Sequence, residues 1–160
     1  MNASQTTKSV GGVARIVLHF ATAVRPIDWE AGSQAVKVAF DDTGIPLTLK
    51  EYASTLDEQL SVEQGLVAVR HTLTAVMRRR DALLWFDAEQ LRRLAEQGTI
   101  AEVVLMDGRR LLVGWSERFG ACQPLKLASM VSHSGKAPDD EPTVTMVLNT
   151  TDTAFALPIL

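Results

Sequence analysis

The sequence predicts an α+β, mainly β domain: an antiparallel sandwich or barrel of about seven or eight strands with one packed helix. Three observations lead there. Apolar residues recur at every second position over many short runs, the period of a half-buried strand. Gly, Asp and Pro punctuate those runs at short intervals, with no repeated strand–helix–strand alternation that would call for a parallel sheet. One segment alone carries an amphipathic helical stripe with a cap at each end.

In chain order, residues 1 to 12 are polar and finish in Gly11-Gly12. Such a composition buries too little to offset its ordering entropy, so a mobile N-terminal arm is expected before a single globular domain, 13 to 160. From Val13 to Val24, Ala14, Ile16, Leu18 and Phe20 alternate with Val13, Arg15, Val17 and His19, a strand mostly buried on both faces and stopped by Arg25-Pro26. Gln34 to Phe40 and Pro46 to Tyr52 read as two more strands joined by the turn residues Asp41-Asp42-Thr43-Gly44, which together make an antiparallel meander.

Ser54 to Arg80 fits two periods. Leu66, Val69, Leu73 and Val76 suit a helix, while Val67, Val69, His71, Leu73, Ala75 and Met77 suit a strand. The β-branched content around Thr72 and Thr74, with Gly65 just before, favours a long strand from Leu66 to Met77, although the spacing alone leaves strand and helix both open for 54–80. The one clear helix follows: Asp87 caps it, Gln90 holds the capping-box position, Leu91, Leu94 and Ala95 form its stripe, and Gly98 closes it. Leu83-Leu84-Trp85-Phe86 anchors it to the sheet.

Ile100 to Met106 and Arg109 to Trp115 flank Asp107-Gly108, the signature of a two-residue hairpin. Pro124 to Ser129 and Thr143 to Leu148 are strands on either side of a polar loop, His133 to Pro142, and in the second of them Val144, Met146 and Leu148 share one face. The final run, Ala154 to Leu160, is apolar, with Phe155, Leu157 and Ile159, and is expected either to tuck into the core or to be covered by a neighbouring chain.

Composition bounds the function. The 160 residues are 46% hydrophobic and 22% charged with a formal net charge of −3, which argues against a disordered tail, a membrane span or wholesale nucleic-acid binding. The single cysteine, Cys122, excludes an internal disulfide and, with no signal-peptide layout at the N-terminus, points to the cytoplasm. No glycine-rich loop leads into a helix to cradle phosphate, and His19, His71 and His133 are too dispersed for a metal site, so no cofactor is expected. Ser132, His133, Ser134, Asp139, Asp140 and Glu141 supply hydrolase residue types, but no Gly-x-Ser-x-Gly elbow accompanies them and a solvated loop is the simpler reading. Cys122 reads as a buried thiol with no histidine placed to activate it.

Arginines cluster at Arg78-Arg79-Arg80, Arg92-Arg93 and Arg109-Arg110, which makes the middle third basic between acidic flanks. The interleaved acids Asp81, Asp87, Glu89 and Glu96 weaken any attraction for phosphate, so a solvated face, or charge-complementary contacts between identical subunits, is the better reading, and head-to-tail contacts close into rings. The candidate interface is Arg78, Arg79, Arg80, Arg109, Arg110, Lys136, Asp139, Asp140, Phe155, Leu157 and Ile159.

The hairpin Ala101-Glu102-Val103-Val104-Leu105-Met106-Asp107-Gly108-Arg109-Arg110-Leu111-Leu112-Val113-Gly114-Trp115, the loop Ser134-Gly135-Lys136-Ala137-Pro138-Asp139-Asp140-Glu141-Pro142 and the threonine-rich strands resemble small tail or baseplate proteins of phages and prophages. The resemblance lies in the layout of the C-terminal part of the chain. It implies a sandwich or barrel with one helix, subunits assembled in a ring or stack, no cofactor and no catalysis, and a place in the virion instead of the cytoplasm. Two function classes follow: a self-associating structural protein whose partners are its own copies or other assembly proteins, and, as the rival, a small-molecule binding module or enzyme using an apolar barrel pocket lined by Trp29, Trp85, Trp115 and Phe119.

Overall fold

The computed structural model describes residues 12–23, 28–29, 36–41, 43–116 and 120–159. The expected N-terminal arm lies outside them except for Gly12. Eleven strands are seen among the described residues: β1 (Val13–Phe20), β2 (Asp28–Trp29), β3 (Val36–Lys37), β4 (Ile45–Leu47), β5 (Thr55–Glu63), β6 (Leu66–Arg78), β7 (Thr99–Leu105), β8 (Arg110–Val113), β9 (Lys126–His133), β10 (Thr143–Asp152) and β11 (Leu157–Pro158). Two helices, α1 (Arg79–Trp85) and α2 (Ala88–Glu96), stand between β6 and β7.

Two antiparallel sheets carry the fold, one in the order β11-β8-β7-β1-β4 and one in the order β5-β6-β10-β9. Their facing sides build one core. Ile16, Leu18, Leu47, Ala101, Val103 and Val113 from the first sheet meet Leu73, Ala75, Met77, Val144, Met146 and Leu148 from the second, with Ala82, Phe86 and Leu94 of the helical segment packed among them. Leu56, Leu73, Leu148 and Leu127 stand directly opposite one another across all four strands of the second sheet, one apolar row of the inner face. This is the mainly β sandwich the alternation predicts.

The first sheet is covered on its outer side too. Val36, Ile100 and Leu112 are fully buried there, with Val38, Phe40, Trp115, Leu157 and Ile159 packed against them. His19 lies on that face, buried, with its ring stacked 3.5 Å from Phe40. The N-terminal part is therefore not a meander. β4 pairs with β1, while β2 pairs with β3 apart from that sheet, and Val36 to Phe40 lies on the outer face. A sheet covered on both faces needs an outer layer, and Val36 to Phe40 contribute to it.

Residues 55 to 78 form a hairpin of two long strands. Gln64 and Gly65 both have positive φ, 51° and 79°, the backbone of a two-residue type I′ turn. The Asp107-Gly108 hairpin has a three-residue loop instead: Leu105 N–H donates to Arg109 O at 2.8 Å and Gly108 N–H to Leu105 O at 2.9 Å, with Gly108 at φ 89°. A type I turn closed by a left-handed glycine is the next hairpin solution after the two-residue one.

Helix α2 starts as its cap residue requires, Gln90 N–H donating to Asp87 Oδ1 at 2.8 Å. It ends at Gly98, whose φ is 76° and whose missing Cβ would lie 2.6 Å from Pro124. Helix α1 is an addition to the single helix expected. The arginine run that reads as surface charge opens it, and the anchor residues up to Trp85 are its last turn.

Candidate functional site

The hairpin of β5 and β6 is longer than the strand beside it. Pairing with β10 ends at Asp152 opposite Val69, whereas β5 and β6 stay paired out to Glu63 opposite Leu66. Residues 61 to 63 and 66 to 68 therefore have only each other, and they form a finger beyond the sandwich. Strand alternation places Leu60, Val62 and Val67 on the same side as the core residues Leu73 and Leu56, so the apolar inner face continues past the layer that covers it. These side chains are exposed: Leu60 46%, Val62 61%, Val67 44%, and Leu66 on the opposite side 75%. Val69, one row inward, is fully buried.

At the root of the finger the inner face turns polar for one row, Glu58 on β5, His71 on β6 and Thr150 on β10, with Asp152 in the next. His71 is 2% exposed. Its Nε2–H donates to the Ala154 carbonyl at 2.9 Å, and its Nδ1 lies 3.2 Å from Glu58 Oε2, off the axis of a hydrogen bond. The same Oε2 accepts the Ala156 amide at 2.7 Å. Burial opposes the charge on both groups, but the Glu58–His71 contact and the backbone bonds outweigh it, so the imidazole is held above its ordinary pKa and the carboxyl below its own. The pair grips the segment that leaves β10 and crosses to β11. Beside it, Ser116, Gln123, Trp115 and Thr150 line a recess of about 10 Å³, room for roughly one water.

The structure spreads the sequence-derived interface residues over several places. Arg78, Arg79 and Arg80 come together with Glu141 and Pro142 around an open cleft of about 520 Å³, and Arg78 Nε meets Glu141 Oε1 at 2.7 Å. Arg109 Nε pairs with Asp107 Oδ2 at 2.7 Å and Arg110 Nη2 with Glu102 Oε1 at 2.6 Å, both at the β7–β8 hairpin. Asp140 accepts the amides of Lys136 at 3.1 Å and Ala137 at 2.9 Å; these backbone bonds, that of Ala137 first, lower its pKa and make the loop a local turn. Asp139 is exposed.

The apolar C-terminal run divides. Leu157 pairs with Leu112, Ile159 bridges Val36, and both are half-buried in the outer cluster, while Phe155 is 52% exposed beside the clamped residues Ala154 and Ala156. Pro158 sits where proline is tolerated, in a sheet-edge strand. Cys122 is exposed, not buried. Trp115 packs in the outer cluster, and the side chains of Trp29, Trp85 and Phe119 lie outside the described residues.

The finger and the Glu58–His71 pair are absent from the sequence-derived set. A signal existed for the finger: Leu60 and Val62 alternate with Ser61 and Glu63 just before Gly65, which marks a second strand paired to the one beginning at Leu66. None existed for the pair, because its two members meet only through the register of that hairpin. No family model, curated protein or solved structure matches this chain.

Proposed function

We propose that this chain is a non-catalytic structural protein that self-associates, a tail or baseplate component of a phage or prophage working in the cytoplasm and in the assembled particle. The observation that carries the reading is the finger: an apolar face continuing past its own covering layer, with Leu60, Val62 and Val67 in solvent. Contiguous apolar surface on a projecting hairpin marks a place where another chain packs. Leu157 and Ile159 add nothing to this argument, since they pack within their own chain.

The charge of the two sheet edges favours a second copy as the occupant. β5, one edge of the four-stranded sheet, carries Asp57, Glu58 and Glu63 and no base; β9, the other edge, carries Lys126 and His133 and no acid. Three antiparallel steps separate the edges, so β5 and β9 run in opposite directions. A second copy in the same orientation therefore sets its β9 antiparallel to the first copy's β5, acidic edge to basic edge, with both inner faces on one side. Repetition of that head-to-tail contact gives a ring or a stack. Such an assembly needs no cofactor and no membrane.

Size-exclusion chromatography with light scattering, run over a wide range of concentration, tests the reading. Oligomers are expected, and negative-stain images of them should show closed rings or short stacks. A strictly monomeric chain at every concentration sinks it.

A further inference from the structure

We infer that Glu58 and His71 form a protonation latch that ties the C-terminal crossover to the root of the finger and thereby makes assembly through the finger sensitive to pH. The inference rests on the self-association reading for its second half only; the latch itself stands on the geometry within one chain.

Both ends of the crossover are held by this one pair. Ala154 gives its carbonyl to His71 Nε2, and Ala156 gives its amide to Glu58 Oε2. The bond to Ala154 requires a proton on Nε2, because a carbonyl only accepts. That leaves Nδ1, 3.2 Å from the carboxylate, to decide the state of the site. With a proton on Nδ1 the imidazolium faces an anion and the contact is attractive. Without it a lone pair faces the carboxylate, which keeps only the Ala156 amide as a partner, so the contact turns repulsive and Glu58 is driven toward water, loosening its hold on the crossover.

Glu58 belongs to β5, one strand position from Gln59 and two from Leu60. Movement of Glu58 toward water therefore disturbs the edge and the apolar side chains on which assembly depends, and it frees Phe155 between the two clamped residues. Among the described residues, the acids facing His71 are Glu58 and Asp152, and both favour its charged form. Ser116, Gln123 and Thr150, which complete the surroundings, are neutral.

The signs follow from the two directions. His71 is raised above its ordinary value of 6.5, so its contribution to stability is complete below that value and is lost as pH rises through the higher folded pKa. Glu58 is lowered from 4.5, so its contribution is present above that value and is lost as pH falls through the lower folded pKa. The latch is closed between the two, and on the alkaline side it is His71 that opens it.

Nuclear magnetic resonance on the full chain reads the latch directly. The ring signal of His71, identified by its loss in His71→Gln, should titrate above 6.5, and in Glu58→Gln it should titrate at lower pH. Hydrogen exchange at the Ala156 amide, corrected for intrinsic base catalysis, should rise through the same midpoint in the unsubstituted chain, a measurement that requires no variant to fold. Sedimentation over the same pH series should show association weakening by about tenfold or more across that midpoint. Ala156 protection unchanged through the His71 titration, or a His71 midpoint at or below 6.5, overturns the latch. Protection that follows His71 in a chain monomeric at every pH overturns the self-association reading and the assembly half of this inference, and supports the latch alone.

Discussion

The two ends of β6 share one strand and one pattern yet occupy opposite environments. Toward its C-terminal end Leu73, Ala75 and Met77 alternate with Thr72, Thr74 and Val76 and are buried between two sheets, while Leu66 and Val67 at its other end stand in solvent. The alternation is the same; what differs is whether a second layer lies over it. Apolar periodicity reports which face wants to be covered, and burial within one chain requires in addition that a covering element reach that far. His71 sits at the boundary, where the inner face passes from dry core to finger.

That contrast can be broken or sharpened by substitution. The largest effect is expected at the covered end: Leu73→Ala leaves a cavity between the sheets and should cost about 2–5 kcal/mol in chemical denaturation. At the boundary, Glu58→Gln removes the charge facing His71 but keeps an acceptor for Ala156, and a loss of about 1–3 kcal/mol is expected at neutral pH, shrinking as the pH is raised past the His71 titration. An unfolding free energy that stays flat with pH in the unsubstituted chain would contradict the sign derived for this pair. Asp87→Ala, outside β6, removes the bond to Gln90 N–H and should cost about 1 kcal/mol, which calibrates what a purely local loss looks like here. The smallest effect on stability belongs to the finger: Leu66→Ser together with Val67→Ser should stay within about 0.5 kcal/mol per site in denaturation while weakening association in sedimentation. A large stability loss in that double variant would mean the finger is covered by its own chain after all.

The elements legible in the sequence were those in which neighbours along the chain carry the signal. Period-two alternation located β1, β6 and β10, Asp87 and Gly98 bracketed α2, and the facing of Val144, Met146 and Leu148 toward the core could be read from their spacing. Helix α1 carries no such signal, because its opening arginines suit a charged surface, its apolar residues suit an anchor, and no cap side chain announces its start. The hairpin around Asp107-Gly108 was located correctly and its loop length was not, since a glycine at positive φ serves both a two-residue and a three-residue turn. The arginine runs are carried to two places, Arg78 to Arg80 beside Glu141 and Arg109 with Arg110 at the β7–β8 hairpin, because a run of arginine records composition and not the place to which a strand carries it.

Local chemistry, then, was enough to settle that this chain is a mainly β sandwich with antiparallel strands, where α2 begins and ends, and which side chains of β6 and β10 face inward. Packing alone settled that Val36 to Phe40 pack on the outer face of the first sheet, that Leu157 and Ile159 close on their own chain, and that Glu58 and His71 meet. The reason is one of range. Turn preference, capping and alternation act between residues a few positions apart, whereas a covering layer or a buried ion pair depends on strand register and strand length, which are fixed only when distant segments compete for the same surface.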